Sequence, residues 1–83
     1  MDALETGERE ELIALLERRL AVIGNHTLRD ADPDAHLTQL KEVSEAIMAR
    51  HTALGARLSP RLEHFLGNCS YDKALAWLRE GKG

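Results

Sequence analysis

The fold of this chain is decided by residues 33–58, which read PDAHLTQLKEVSEAIMARHTALGARL. Asp32 and Pro33 together are typical of a helix start, because Asp caps the first turn and Pro suits the first helical position. Positions at alternating intervals of three and four then form the spacing of a packed helix seam: Leu37, Leu40, Ser44, Ile47, His51, Leu54 and Leu58. We predict one long helix that ends near Leu58, with Leu40 and Ile47 buried on this seam.

A second apolar stripe lies upstream, in a helix that is predicted to begin near Thr6. Its apolar residues cover about half of the helix circumference at 100° per residue: Leu12, Ile13, Leu15, Leu16, Leu20, Val22 and Ile23. Gly24-Asn25 can end this helix, or the helix can continue past a weak point to about Arg29. The short connection to Asp32 predicts that the two long helices pack antiparallel as a hairpin.

The last quarter of the chain repeats the start signal and predicts one or two short helices. Ser59-Pro60 begins the first, Gly67-Asn68 ends it, and Ser70 can cap another. Their apolar residues are expected to pack across the hairpin: Leu62, Phe65, Leu66, Tyr71, Ala74, Leu75, Trp77 and Leu78. The prediction is therefore an all-α single domain over residues 1–83, with frayed ends at 1–5 and 81–83.

Composition and charge limit the classes of function. The 83 residues carry a net charge of −3 and are 30% charged, which gives no bulk attraction for nucleic acid. Cys69 is the single cysteine, so no internal disulfide can form and a reducing compartment is expected. The acidic start lacks a secretory signal, and the charge-free run from Leu20 to Leu28 is too short to cross a bilayer. We expect a cytoplasmic protein that binds neither membrane nor nucleic acid.

The histidines and the cysteine are the first candidates for chemistry. His51 on the seam is either a ligand or proton carrier, or a polar residue that fixes helix register together with Ser44. The four histidines, at 26, 36, 51 and 64, form no paired motif typical of a zinc site. Cys69 at a helix start could act as a nucleophile with His64 as a base, but a lone packing cysteine is the commoner case. No metal, cofactor or catalytic residue is assigned.

The basic residues are predicted to lie on the solvated surface, and the aromatic residues are predicted to pack in the interior. Lys41, Arg50, Arg57 and Arg61 are interleaved with glutamates, which favours a solvated charged surface over a basic patch. The aromatic residues, Phe65, Tyr71 and Trp77, are expected to lock the C-terminal helices onto the hairpin, with a partner-binding hot spot as the alternative. A helix-turn-helix over residues 59–77 is disfavoured because its second helix carries only Lys73 and Arg79 as basic residues.

One segment resembles a known enzyme family. LLERRLAVI, residues 15–23, resembles the first helix of the AroQ-type chorismate mutases, and RDADPD, residues 29–34, resembles the turn to their second helix. In that family an arginine after such a leucine pair contacts a substrate carboxylate, and Arg18 holds this position. The family's lysine late in the first helix has no counterpart, and Pro33 stands where another substrate-binding arginine is expected. The resemblance implies a small metabolic enzyme with an incomplete motif.

The leading hypothesis is instead a non-enzymatic helical interaction module, either an adaptor or a chaperone-like protein. The long hairpin is similar in architecture to small flagellar or secretion export chaperones. Because its apolar stripes are wider than one neighbour can cover, we expect a homodimer in which two hairpins form a helical bundle, with Leu15 and Val22 at the interface. Convergence of Arg18, Arg19 and Arg29 on one cavity would favour the enzyme.

Overall fold

The computed structural model describes residues 4–81 and contains only helices and their connections in that range. The helices are α1 (Thr6–Ile23), α2 (His26–Ala31), α3 (Pro33–Leu54), α4 (Pro60–Gly67) and α5 (Tyr71–Arg79), with a 3-10 turn at Gly55–Arg57. The all-α prediction is confirmed. Among the described residues, no helix combines the length and the apolar character that crossing a membrane requires.

Local capping fixes most helix starts. The Asp32 carboxylate accepts a hydrogen bond from the Ala35 N–H at 3.0 Å, and the Ser59 hydroxyl accepts one from the Leu62 N–H at 3.3 Å. The predicted starts at residues 33 and 60 are therefore confirmed. Asn25 caps the short helix α2 in the same way, through the Leu28 N–H at 3.0 Å. Helix α1 therefore ends at Ile23, and a separate helix begins at His26.

One predicted boundary is wrong. The long helix α3 ends at Leu54, not near Leu58, because Gly55 adopts a φ of +47° and the chain continues as a 3-10 turn. The predicted start of α1 near Thr6 is confirmed; Glu5 caps this helix, and its N–H donates to the Glu8 carboxylate at 3.2 Å. Of the frayed ends expected at residues 1–5 and 81–83, residues 1–3 and 82–83 lie outside the described residues.

The core lies where α1, α3 and the two C-terminal helices meet. The pairing of α1 with α3 runs in opposite chain directions: Val22 contacts His36, whereas Glu11 contacts Arg50. Helices α4 and α5 pack on each other, and α5 also packs on α1. The buried cluster draws on every one of these helices: Leu12, Leu16, Val43, Ile47, Leu54, Leu58, Leu62, Leu66, Tyr71, Ala74, Leu75 and Leu78.

The predicted stripes are correct at the middle of each long helix and wrong at the end where α2 joins them. Ile47 is 1% exposed, as predicted, and Leu40 is half-buried against the core. Leu37 is 64% exposed, and Leu20 and Ile23 are each 39% exposed. The exposure of Leu20 and Ile23 has a simple cause, because α5 begins at Tyr71, whose ring lies beside Arg19, and α1 continues beyond that point.

Ion pairs between arginine and glutamate join α1 to its neighbours. Glu11 pairs with Arg50 of α3, and Glu17 pairs with Arg79 of α5 at 2.7 Å. Arg57 donates through two nitrogens to both carboxylate oxygens of Glu8, one of them at 2.8 Å. This bidentate hydrogen bond lowers the pKa of Glu8, and the N–H of Glu5 lowers it further.

Replacing Ile47 with Ala tests the observed core. Ile47 is 1% exposed, so the change should lower the free energy of unfolding by roughly 2–4 kcal/mol through lost transfer energy and a cavity. Leu37→Ala is the matched control, because Leu37 is 64% exposed on the same helix and should change stability by no more than about 0.5 kcal/mol. Urea denaturation measures both variants. Equal losses would contradict the observed register of α3.

Replacing Glu8 with Gln tests the bidentate pair. The lowered pKa of Glu8 means that its carboxylate stabilises the fold above its ordinary value of 4.5, and that this stability is lost as pH falls below 4.5. The parent should therefore be more stable than Glu8→Gln at neutral pH, and the difference should shrink in acid. Urea midpoints across this pH range provide the measurement, with Glu10→Gln as a control. A difference that is independent of pH would refute the assignment.

Candidate functional site

His51 lies at the junction of α3 and α4, and it is only half-buried. Its Nε2 lies 2.8 Å from Glu63 Oε2, and because a carboxylate accepts, the imidazole N–H donates. The two side chains border an open cavity of about 440 Å³ that Thr52, Gly55 and neighbouring residues complete. The expectation of a seam position needs correction, since the imidazole is tied to α4. Glu63 was missed because twelve residues and a turn separate it from His51.

Cys69 forms the turn between α4 and α5, is exposed, and has a φ of +56°. Its N–H donates to the Leu66 carbonyl at 3.1 Å, and the Ser70 N–H donates to the Phe65 carbonyl at 2.7 Å. These two bonds are the Schellman motif that ends a helix, in which the left-handed position usually holds glycine. The position of Cys69 therefore follows from backbone geometry, and the Tyr71 hydroxyl donates to its Sγ at 3.6 Å.

Arg19 lies over the ring of Tyr71, with 4.6 Å between its guanidinium carbon and the ring centroid. Burial raises the pKa of Tyr71, and its hydrogen bond to Cys69 raises it further. Arg19 and Lys73 border a cavity of about 380 Å³ at the start of α5. Sequence reasoning missed this stacking, although a signal existed, because Arg19 follows Leu16 by three residues on the buried stripe of α1.

The three arginines that the enzyme hypothesis requires to converge lie apart in the structure. Of the three arginines, only Arg19 borders the cavity beside Tyr71, whereas Arg18 and Arg29 are exposed elsewhere on α1 and α2. Asp72 also borders this cavity and opposes a bound anion. The three arginines therefore do not form the cationic cluster that a dianionic substrate requires.

The remaining histidines have separate environments. The Nε2 of His36 donates to the Val22 carbonyl at 2.8 Å, His26 is exposed on α2, and His64 contacts the Asn68 amide rather than Cys69. Among residues 4–81, no group of three or more His, Cys, Asp or Glu side chains is placed to hold a metal ion.

The cations and aromatic residues are engaged with neighbours. Lys41 lies 4.0 Å from Glu45, Arg50 pairs with Glu11, and Arg57 pairs with Glu8. Arg61 lies over Trp77, whose ring meets that of Phe65 edge-on at 6.0 Å between centroids. Tyr71 is buried, and both Phe65 and Trp77 pack against the core. This packing is the locking arrangement expected of the aromatic residues.

Large apolar side chains remain in water on both long helices. Leu37 and Met48 of α3 are 64% and 60% exposed, and Leu20 and Ile23 of α1 are each 39% exposed. Leu37 and Met48 are eleven residues apart, so they lie within about 20° of one another on one side of α3. We call Leu37 and Met48 the exposed apolar face. It lies roughly 80–140° around α3 from the buried residues Val43 and Ile47.

Comparison of the chain with known protein families, curated proteins and solved structures found no match. The function must therefore be argued from the geometry. Of the features above, the His51–Glu63 pair and the Cys69 turn are explained by the packing of α4, and the exposed apolar face is not explained by any contact within the chain.

Replacing Cys69 with Gly tests whether the backbone alone explains this residue. Because a side chain at a left-handed φ is strained, the change should stabilise the protein by about 0.5–1 kcal/mol, net of the greater freedom of glycine in the unfolded chain. Cys69→Ala keeps the β-carbon and loses the thiol, so it should give no such gain. Urea denaturation of the two variants provides the comparison. A glycine variant no more stable than the alanine variant would contradict this account.

Proposed function

We propose that this chain is a helical protein–protein interaction module, an adaptor or chaperone-like protein, whose α1–α3 hairpin carries the binding surface. The observation that carries the proposal is the exposed apolar face, in which Leu37 and Met48 keep more than half of their surface in water. Amphipathic helices that bind other proteins present apolar residues at such helical spacings.

The homodimer expected from the sequence belongs to this proposal, with a revised location. Val22 is buried within the protomer, and Leu15 packs partly against the core. Val22 is therefore not accessible to a second chain in the folded protomer, whereas Leu15 is only partly covered and borders an open cavity with Ala46 and Ala49. We place the bundle of two hairpins on the exposed apolar face instead.

The competing proposal, an enzyme that resembles the AroQ-type chorismate mutases, draws less support. It requires cationic side chains that converge on one pocket, and only Arg19 of the three arginines borders a cavity. That guanidinium is already stacked on Tyr71. No observation specifically favours this alternative.

Capture of partners from the native host tests the proposal. The tagged parent chain should recover a stoichiometric protein partner, and Leu37→Glu should lose it because a carboxylate replaces the most exposed apolar side chain. Thr38→Glu is the matched control, since this neighbour on α3 is also exposed and gains the same charge. Circular dichroism establishes that each variant is folded. Recovery that Leu37→Glu does not alter would contradict the proposed surface.

A further inference from the structure

The exposed side of α3 carries two apolar and two charged residues whose order is complementary to the same order read in the opposite direction. Leu37, Lys41, Glu45 and Met48 follow at intervals of four, four and three, so they line one side of the helix over about three turns. The side chains of Lys41 and Glu45 are 74% and 64% exposed. We call these four residues the α3 strip, in which a cation and an anion are enclosed between two apolar residues.

The order of charges makes this strip complementary to an antiparallel copy of itself. When two α3 helices cross about a two-fold axis near Glu42 and Val43, Leu37 meets the partner's Met48 and Lys41 meets the partner's Glu45. The axis then repeats both contacts, because an isologous interface uses the same residues on each side. A parallel arrangement would instead place Lys41 against the partner's Lys41.

The charges on the strip are poorly paired within one chain. Lys41 and Glu45 are 4.0 Å apart, and Lys precedes Glu by four residues, which is the less favourable order on a helix. Both groups therefore keep most of their capacity to pair with a second chain. The residues at the ends of the strip, Leu37 and Met48, are the two most exposed large apolar side chains among the described residues.

From this self-complementarity we infer that the exposed apolar face binds a second copy of this chain through an antiparallel, two-fold contact of α3 with α3. The inference rests on the proposed function and names the partner. A contact three helical turns long is smaller than the standard interface of about 800 Å² per partner, so the association is weak and depends on concentration.

Charge exchange between two variants tests the inference. Lys41→Glu alone and Glu45→Lys alone each place like charges opposite one another twice in a dimer, and each should weaken self-association by roughly tenfold or more. An equimolar mixture of these two variants should associate, because every opposed pair is then of opposite sign. The double variant Lys41→Glu/Glu45→Lys should associate like the parent.

The measurement is sedimentation equilibrium from micromolar to near-millimolar concentration. The parent, the double variant and the mixture should rise from 9.3 kDa towards twice that mass, and the two single variants should stay lower. Lys73→Glu is the control, since it makes the same charge change on α5, away from the strip. Circular dichroism excludes unfolding as the cause of a low mass.

Three results would overturn the inference: a parent that stays monomeric throughout, a dimer that the single variants do not weaken, or a mixture that fails to associate. The capture experiment separates these failures from failure of the proposed function. If the parent is monomeric but its host partner is lost on Leu37→Glu, the surface binds another protein and only the second-copy inference fails.

Discussion

The structure depends on one buried apolar cluster that two helices alone cannot enclose. Leu12 and Leu16 of α1 and Ile47 of α3 are almost fully buried, although two helices in contact cover only one side of each other. Leu75 and Leu78 of α5 supply the missing cover. In a domain of 83 residues, where only about 60–65% of the chain's surface can be buried, loss of α5 would open the core of both long helices.

The need for cover by the short C-terminal helices also determines which apolar side chains of the long helices stay exposed. Helix α3 has 22 residues and is about 33 Å long, whereas α4 and α5 have 8 and 9 residues and measure about 12 and 14 Å. The short helices reach α1 as far as Arg19 and α3 near His51. Leu20 and Ile23 lie beyond Arg19 on α1; they keep the helical periodicity of the buried stripe and are each 39% exposed. Their exposure follows from a difference in helix length.

Features that local interactions determine could be predicted from the sequence. Features that depend on contacts between distant residues were predicted incorrectly. Asp32 and Ser59 cap their own helices, so the helix starts could be read directly. The buried side of α3 was harder to predict, because apolar residues at spacings of three and four fit two different helix registers. Val43 rather than Ser44 is buried, and Leu37 falls outside the seam. The packing of the other helices against α3 selects between these registers.

The candidate site was predictable in part. The pairing of His51 with Glu63 could not be derived, because it depends on the angle between α3 and α4. The exposed position of Leu37 and Met48 could have been suspected, since eleven residues return a helix to almost the same side. What sequence reasoning lacked was the side of α3 that packs against the core, which separates the buried Val43 and Ile47 from the exposed Leu37 and Met48.

The arrangement of the α3 strip bears on how such a small protein avoids indiscriminate association. Apolar residues alone would bind any apolar surface, whereas Lys41 and Glu45 between them penalise a partner that lacks opposite charges at matching positions. Charges this exposed contribute little to the stability of the protomer. In the proposed self-contact their effect is on partner choice and orientation, because two copies of this strip oppose unlike charges in register when the helices are antiparallel and like charges when they are parallel. The same residues that keep the strip hydrated in the free chain would thus favour one geometry in the proposed dimer.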